Sequence, residues 1–419
     1  MARVKRTGRA KATGNGKTAL FLGGGAPNFT LMSGALLALH EKGIRFDIVS
    51  MAGAGAVVGL MYLVPKGMTR QQSLENTVNF GIADEIYRFF PVNYKAFAKW
   101  GPTADAFNRY WFSLPMVQEA AHQLGKNRME KLRGDFILML GAMMCPSDLS
   151  PGATGLSEHP AFIDSLIDFE RLPKIRQNIE LNAFRLRDRK VVDFTKKEIT
   201  PDHLRAALSF PFIYPPYKIG DEYYYEGAAF QCINPSRVPA KEIDYFVVLQ
   251  PMTANQIRAP HNLWDAYSQS VMMPVAALAQ YGTAAVEHIA RPEHMDAIID
   301  GAIQSLERGS NNSMSDMIDG LDKTGDLRKL IENALTCAEE FNMAETSKAS
   351  SECVPLSMIF PKIKDRWYEA DFSITADKLP FVFDWSRSNL EYLFDVGYVT
   401  GEDLANDLIE DDHPVVRSA

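Results

Sequence analysis

Cysteine is scarce in this sequence, with four residues among 419. The four are far apart and never form a CxxC pair: Cys145, Cys232, Cys337 and Cys353. This spacing predicts neither a disulfide framework nor a paired-cysteine metal motif, and we expect no metal site and no cofactor. Widely spaced cysteines are typical of a reduced protein, so we expect a cytoplasmic location.

Long uncharged runs are also scarce. One such apolar run spans residues 48–65 and approaches the roughly 18 residues that suggest a membrane-spanning helix. Glycines interrupt this run near its start and Pro65 ends it, so we predict that it does not span a membrane. The N-terminus lacks the apolar segment of a secretory signal.

Acidic residues outnumber basic ones and give a formal net charge of -8, which argues against a nucleic-acid-binding protein. The first 17 residues are the exception, because they contain six basic residues and no acidic one. Such a segment cannot bury apolar surface and is predicted to be disordered. Two hypotheses remain for it: a solvated tail without a partner, or a segment that contacts anionic lipid headgroups.

Alternating strand and helix patterns between residues 18 and 251 predict a wound α/β sheet with a site at the strand ends. The strands are predicted at residues 18–22, 46–51, 180–184, 190–194, 223–225 and 245–249. The predicted domains are a disordered basic tail (1–17), an α/β core (18–250) containing a helical cap insertion (68–175), and a helical extension packed on that core (251–419).

Aromatic residues concentrate in the predicted cap between positions 87 and 112. Aromatic stripes at helical spacing usually belong to an ordinary core. They could instead line an acyl tunnel or contact a bilayer interface, and the sequence leaves both interpretations open.

Residues 48–59 form an apolar strand, a small-residue turn and an apolar helix. This is the pattern of a nucleophile elbow, in which a strained turn exposes a serine hydroxyl above a helix N-terminus. The position that should carry the serine is Gly53, and Ala54 follows it at the start of the helix.

Two further stretches accompany the elbow. Gly23, Gly24 and Gly25 lie between a predicted strand and helix, where free backbone N–H groups suit an oxyanion or a phosphate. Far downstream, Glu226 is followed by Gly-Ala, and a stretch containing Ser209 precedes it. The sequence contains neither a P-loop nor a dinucleotide-binding fingerprint, because glycines that these motifs require are absent at positions 11 and 28.

In this order the stretches resemble the patatin-like phospholipase family, in particular a bacterial subgroup with a longer C-terminal region. The resemblance implies a patatin-like wound sheet with nucleophile-elbow topology, a helical cap and a helical C-terminal extension. It also implies a Ser/Asp dyad, without a histidine, that cleaves acyl esters of lipids. Residues 23–25 would then form the oxyanion loop, and the loop of Ser209 would lie near the active cleft.

The sequence departs from the family pattern at the reactive positions. Gly53 replaces the nucleophile, Glu226 replaces the catalytic aspartate, and Pro27-Asn28 stands where the oxyanion loop usually has Arg-Gly. Glycine has no side chain and cannot form an alkoxide. A packing role is expected for Ser33. Ser209 is the better candidate for an oxyanion- or ligand-binding residue, together with residues 23–25 and Ala54, because the resemblance places its loop near the active cleft, although the usual role of this serine is structural.

These departures leave three hypotheses. The first is a pseudoenzyme of acyl-lipid metabolism that binds an acyl chain or acyl ester, with possible peripheral membrane contact. The second is an acyl-ester hydrolase in which Glu226 activates a water molecule. The third is a non-catalytic interaction partner of an active relative. No nucleic-acid partner is expected.

Overall fold

A computed structural model describes most of the N-terminal two thirds of the chain and parts of its C-terminal region. The described residues are 17–26, 28–147, 157–159, 163, 165–211, 213–235, 238, 243–252, 259–260, 263–290, 367–370, 372, 384–410 and 413. Most of the predicted basic tail, together with Pro27, Cys337 and Cys353, lies outside them.

The elements alternate between strand and helix. The strands are β1 (Thr18–Leu22), β2 (Ile48–Met51), β3 (Asn178–Arg185), β4 (Lys190–Thr195), β5 (Tyr217–Ile219), β6 (Glu222–Glu226), β7 (Tyr245–Leu249) and β8 (Trp367–Glu369). The helices are α1 (Phe29–Glu41), α2 (Ala54–Leu63), α3 (Arg70–Glu75), α4 (Asp84–Phe89), α5 (Pro102–Ser113), α6 (Pro115–Ala121), α7 (Arg128–Met144), α8 (Pro201–Ala207), α9 (Leu263–Ala290) and α10 (Arg387–Glu410).

The strands form one mixed sheet in the order β5-β6-β3-β2-β1-β7-β8, and β4 pairs with β3 outside this path. The neighbours β3, β2, β1, β7 and β8 run parallel, whereas β4, β5 and β6 join by antiparallel pairing. The central strands β1, β2 and β7 are buried along their whole length. Their apolar sequences fit this burial, because helices cover both faces of a parallel sheet. The predicted α/β fold class is thereby confirmed.

The C-terminal helix α10 packs tightly on α1 of the core. A Cβ atom on Gly34 would lie 2.0 Å from the carbonyl oxygen of Phe394, and one on Gly397 would lie 2.0 Å from that of Leu31. Any larger residue at either position would force the two backbones apart, because interiors are close-packed. The glycines thus hold the end of the chain against the first helix.

Helices α3 to α7 lie between β2 and β3, inside the segment predicted as a cap. A buried ion network centred on Asp135 of α7 links this segment to α10. The Asp135 carboxylate lies 2.6 Å from Lys95 Nζ and 3.0 Å from Arg387 Nη2. It also accepts hydrogen bonds from the Ala83 N–H and the Gln123 side chain, each at 2.8 Å.

The predicted strands agree with the observed ones to within a few residues, whereas two short strands were not predicted. One is the edge strand β5. The other is β8, which pairs with β7 although the sequence predicted a mainly helical region after residue 250. Within the described part of the chain, no helix is both long enough and apolar enough to cross a membrane.

The carboxyl ends of the strands bring the predicted site stretches together. Leu22 and Met51 are paired at the ends of β1 and β2, so the turns that follow them are neighbours. Met51 also pairs with Leu181 of β3, and Ala183, two residues further along β3, pairs with Glu226. Three separate parts of the sequence therefore meet at the carboxyl ends of the parallel strands, where α/β folds usually bind ligands.

Candidate acyl-binding site

Gly53 forms the sharp turn between β2 and α2. Its backbone dihedrals are φ 50° and ψ -128°, a conformation that residues with a side chain rarely adopt. The turn positions the N-terminus of α2 at the edge of the sheet. The first N–H groups of a helix have no partner within the helix, and no described residue accepts a hydrogen bond from the N–H of Ala54.

The space beside Gly53 is filled by the carboxyl group of Glu226. A Cβ atom on Gly53 would lie 2.1 Å from Glu226 Oε1 and 3.0 Å from the Cβ atom of Ala228. No side chain fits there unless Glu226 moves. The glycine and the glutamate are therefore sterically matched.

Glu226 ends β6 and is 9% exposed. Its backbone N–H donates to the carbonyl oxygen of Ser209 at 2.9 Å, which fixes the end of the strand. Burial raises the pKa of its carboxyl group to about 8, and no cation among the described residues opposes this effect. At neutral pH the group is mainly a protonated acid that can donate a hydrogen bond.

The three glycines after β1 have different surroundings. The Gly23 N–H donates to the carbonyl oxygen of Leu249 and continues the pairing of β1 with β7. The Gly24 N–H donates to Cys232 Sγ at 3.2 Å. Gly25 has a φ of 138°, and its N–H donates to no described residue. Gly25 is thus the one glycine of this loop whose N–H is left for a ligand.

A mainly apolar cavity of about 140 Å³ opens beside these groups. It is lined by Gly24, Gly25, Ala26, Phe29, Ala54, Val57, Phe80, Ala96, Phe97, His159, Ile163, Leu208, Phe210, Ile213, Tyr214, Glu226, Ala228, Val275 and Trp385. Its volume is close to the roughly 150 Å³ of an engineered apolar cavity that binds benzene. The described site can therefore enclose a short apolar chain next to one carboxyl group.

Comparison with known proteins agrees with this arrangement. The sequence matches the family model described as patatin-like phospholipase over residues 20–235, just over half of the chain. The chain belongs to the patatin-like phospholipase family. Membership suggests a lipid-related function. The matched region contains the end of β1, all of β2 to β6, the Gly53 turn and Glu226.

Among solved structures, the chain is similar to the crystal structure of VipD from Legionella pneumophila. The two sequences are 13% identical, and the TM-score is 0.39. The match covers 97% of this chain and 72% of that one. Comparison with curated protein sequences gave no match.

This patatin-like site also contains a histidine that the sequence analysis did not select. His159 lines the cavity, and its ring stacks on that of Tyr214 with 3.9 Å between the centroids. Its Nε2 lies 2.9 Å from Ser209 Oγ, which in turn donates to the carbonyl oxygen of Arg205 at 2.8 Å. Burial lowers the pKa of His159 to about 3, so the ring is neutral at physiological pH.

Of the predicted site residues, Gly24, Gly25, Ala54 and Glu226 line the patatin-like cavity. Gly53 does not line it but lies against the Glu226 carboxyl group. Gly23 lies outside the lining, and Ser209 is fully buried behind His159. Ser33 is buried in α1 and its hydroxyl donates to the Phe29 carbonyl oxygen, as expected for a structural residue.

Proposed function

We propose that this patatin-like protein binds an acyl chain or acyl ester in the cavity and does not carry out Ser/Asp hydrolysis. The single observation that carries the proposal is the steric match of Gly53 with Glu226, whose Oε1 lies 2.1 Å from a Cβ position on the glycine. In this proposal the carboxyl group has taken the space in which a serine side chain would lie.

Under this proposal, Gly53 stands at the nucleophile position of the family and Glu226 at the position of the dyad acid. Glycine offers no atom for acyl transfer. Glutamate is one methylene longer than aspartate, and that extra length fits the reach of the carboxyl group toward Gly53. The two replacements fit each other, because the Glu226 carboxyl group leaves no room for a side chain at position 53.

The ligand carbonyl would meet hydrogen-bond donors at the turn. The N–H groups of Gly25 and Ala54 have no described acceptor, and both residues line the cavity. Such preorganised donors bind a carbonyl or carboxylate oxygen well in a low-dielectric site. The protonated Glu226 carboxyl adds a third donor. The apolar wall, which includes Phe29, Val57 and Trp385, would surround the acyl chain.

Water activation by Glu226 is the second candidate, and the position of its carboxyl group at the cavity favours it. A general base must be ionised, whereas burial raises the pKa of Glu226 to about 8. Hydrolysis by this route would therefore be weak at pH 7 and would increase as the pH rises through 8. Binding without turnover needs no ionised carboxylate and is the function we favour.

The outer face of α7 supports peripheral contact of this protein with a membrane. Five apolar side chains of this helix are 37 to 71% exposed and recur at helical spacing: Met129, Phe136, Leu140, Met143 and Met144. Basic residues share the helix, and such amphipathic helices lie in anionic bilayer interfaces. We expect Phe136→Asp with Leu140→Asp to reduce co-sedimentation with phosphatidylserine vesicles. Exposed Val399→Asp on α10 is the matched control.

Native mass spectrometry of the purified full chain, run beside an ester-hydrolysis assay, tests the proposed function. We expect a co-purifying lipid mass and no release of acid from a medium-chain ester. A serine-directed fluorophosphonate should not label the protein. Sustained ester turnover would favour the water-activation hypothesis, and stoichiometric labelling of Ser209 or Ser33 would refute the absence of a serine nucleophile.

A further inference from the structure

The cavity contains a second polar group, which the Ser/Asp pattern of the family does not include. His159 lies in the wall of the cavity, and its ring orientation is fixed from two sides. Stacking on Tyr214 holds the ring plane, with 15° between the two rings, and the contact with Ser209 Oγ holds its Nε2 edge. A ring fixed in this way presents its remaining nitrogen in one direction.

The hydrogen-bond chain behind His159 determines where its proton lies. The Ser209 hydroxyl has one hydrogen and donates it to the Arg205 carbonyl oxygen, so Ser209 Oγ must act as an acceptor toward Nε2. His159 therefore carries its proton on Nε2. In a neutral imidazole the other nitrogen, Nδ1, is then an unprotonated acceptor.

Nδ1 of His159 receives no hydrogen bond from any part of the chain that the structure describes. Because both side chains line the cavity, we take Nδ1 of His159 as an acceptor and the protonated Glu226 carboxyl group as a donor for a ligand there. A hydroxyl group matches this pair, because its hydrogen can be donated to Nδ1 while its oxygen accepts from Glu226. An ether or a full ester has no hydrogen to donate, so it can accept a hydrogen bond from Glu226 but cannot donate one to Nδ1 of His159.

We infer that His159 is a specificity-determining residue that selects a ligand with an uncharged hydroxyl head group on an apolar chain. The inference rests on the proposed function, since it assigns a head group to the acyl ligand of the same cavity. Ser209 is a positioning residue for this selection, because it acts by fixing the tautomer of His159.

A matched pair of small probes tests the selection. Hexan-1-ol and hexyl methyl ether have the same apolar chain, but the ether has no hydrogen to donate. We expect the full-length protein to bind the alcohol about tenfold more tightly than the ether in an NMR titration, the effect of one buried hydrogen bond. His159→Phe keeps an aromatic ring against Tyr214 and should bring the ratio of alcohol to ether affinity down to about one.

His159→Asn is the rescue variant. Its amide oxygen takes the place of Nδ1 and should restore part of the preference for the alcohol. Equal weakening of both probes in His159→Phe would indicate a packing role and overturn the inference. An unchanged preference would also overturn it. If the wild-type protein binds neither probe but still binds a medium-chain ester, the inference alone fails. If it does not bind the ester either, the proposed acyl-binding function itself fails.

The ¹⁵N spectrum of His159 in the wild-type protein gives an independent readout that requires no variant to fold. We expect a neutral ring with the proton on Nε2 and a bare Nδ1 at pH 7. Ser209→Ala removes the acceptor for Nε2–H and should produce a mixture of the two tautomers. A charged ring, or a proton on Nδ1 in the wild-type protein, would contradict the inference.

Discussion

Two buried carboxyl groups of this protein have opposite surroundings. Asp135 on α7 contacts Lys95 at 2.6 Å and Arg387 at 3.0 Å and accepts two further hydrogen bonds. Glu226 at the end of β6 lines a cavity and has no cation beside it in the part of the chain that the structure describes. One carboxyl group is surrounded by partners that stabilise its charge, whereas the other is left neutral and available to a ligand.

Both carboxyl groups are buried, so burial alone does not make a carboxyl group a functional acid. Removing a charge from water is costly unless partners replace the lost hydration. Lys95 and Arg387 are those partners for Asp135, and their contacts link α7 to α10. No described residue supplies them to Glu226, so the cost remains in the folded state, as is common at functional sites.

The largest expected effect concerns the paired carboxyl group. Asp135→Ala would leave Lys95 and Arg387 buried without their counter-ion, and we expect the free energy of unfolding to fall by about 3–5 kcal/mol. Chemical denaturation measures this change. Glu85→Ala is the control, because Glu85 pairs with Arg128 at the surface and its loss should matter far less. Equal effects of the two variants would remove the contrast between a buried network and a surface pair.

The second prediction concerns the steric match at the turn. Gly53→Ser alone places a Cβ atom against Glu226 and a side chain at φ 50°, so we expect marked destabilisation. Glu226→Asp withdraws the carboxyl group, and the double variant should be more stable than the sum of the single effects by about 1–3 kcal/mol. Denaturation of all four proteins measures this coupling. Additive effects would show that Glu226 does not occupy the space beside Gly53.

The same double variant should also gain esterase activity, because it places a hydroxyl group at the turn between β2 and α2. Each single change should do less. A folded double variant without activity would indicate that the loop containing Gly24, Gly25 and Asn28 no longer forms an oxyanion hole. The Gly24 N–H already donates to Cys232 Sγ, so Cys232→Ala in this background is the next variant to assay.

The third prediction concerns the pH dependence of stability. Since burial raises the pKa of Glu226 from 4.5 to about 8, the folded protein retains a proton that the unfolded chain releases. The free energy of unfolding therefore falls as the pH rises between these values, by at most about 1.4 kcal/mol per pH unit. Glu226→Gln should remove this decrease, as measured by the difference between the wild-type and variant curves.

Below pH 6.5, His159 changes the free energy of unfolding with pH in the direction opposite to Glu226. Burial lowers the pKa of His159 from 6.5 to about 3, so stability is gained as the pH rises toward 6.5 and is constant above it. The interval from pH 6.5 to 8 therefore separates the contribution of Glu226 from that of His159. If the free energies of unfolding of the wild type and of Glu226→Gln change in parallel with pH in this interval, the Glu226 carboxyl group is ionised in the folded protein.

The smallest expected effect is that of Glu226→Gln on ligand affinity. The amide keeps the shape of the protonated acid and retains a hydrogen-bond donor. Acyl-ligand affinity should therefore stay within about tenfold of the wild type. In the water-activation hypothesis the same change should abolish turnover, so the variant separates the two candidate functions.

Much of the fold could be predicted from the sequence because its signals are local. The apolar strands β1 and β7 were predicted with the observed bounds, and the small-residue turn at Gly53 was predicted from residues 48–59 alone. The strands β5 and β8 were not predicted. Each has three residues, too few to show a period, and their pairing depends on strands elsewhere in the sheet.

The site could be predicted only in part. Gly53 and Glu226 were selected from their motifs, but their steric match depends on the distance between chain segments that are far apart in sequence. His159 has no motif, and its importance comes from contacts with Tyr214 and with Ser209, which lies 50 residues away. The different surroundings of Gly23, Gly24 and Gly25 likewise depend on Leu249 and Cys232 in the folded chain.

The most direct test of the central claim observes binding and hydrolysis in one sample. The full-length protein would be mixed with a medium-chain ester carrying ¹³C at its carbonyl carbon and followed by NMR. We expect a saturable shift of the ester signal, no signal from free acid, and no shift with Val57→Trp, which fills the cavity wall. Free acid that accumulates in proportion to wild-type protein, or an unchanged shift in folded Val57→Trp, would contradict the claim that this cavity binds an acyl ester without cleaving it.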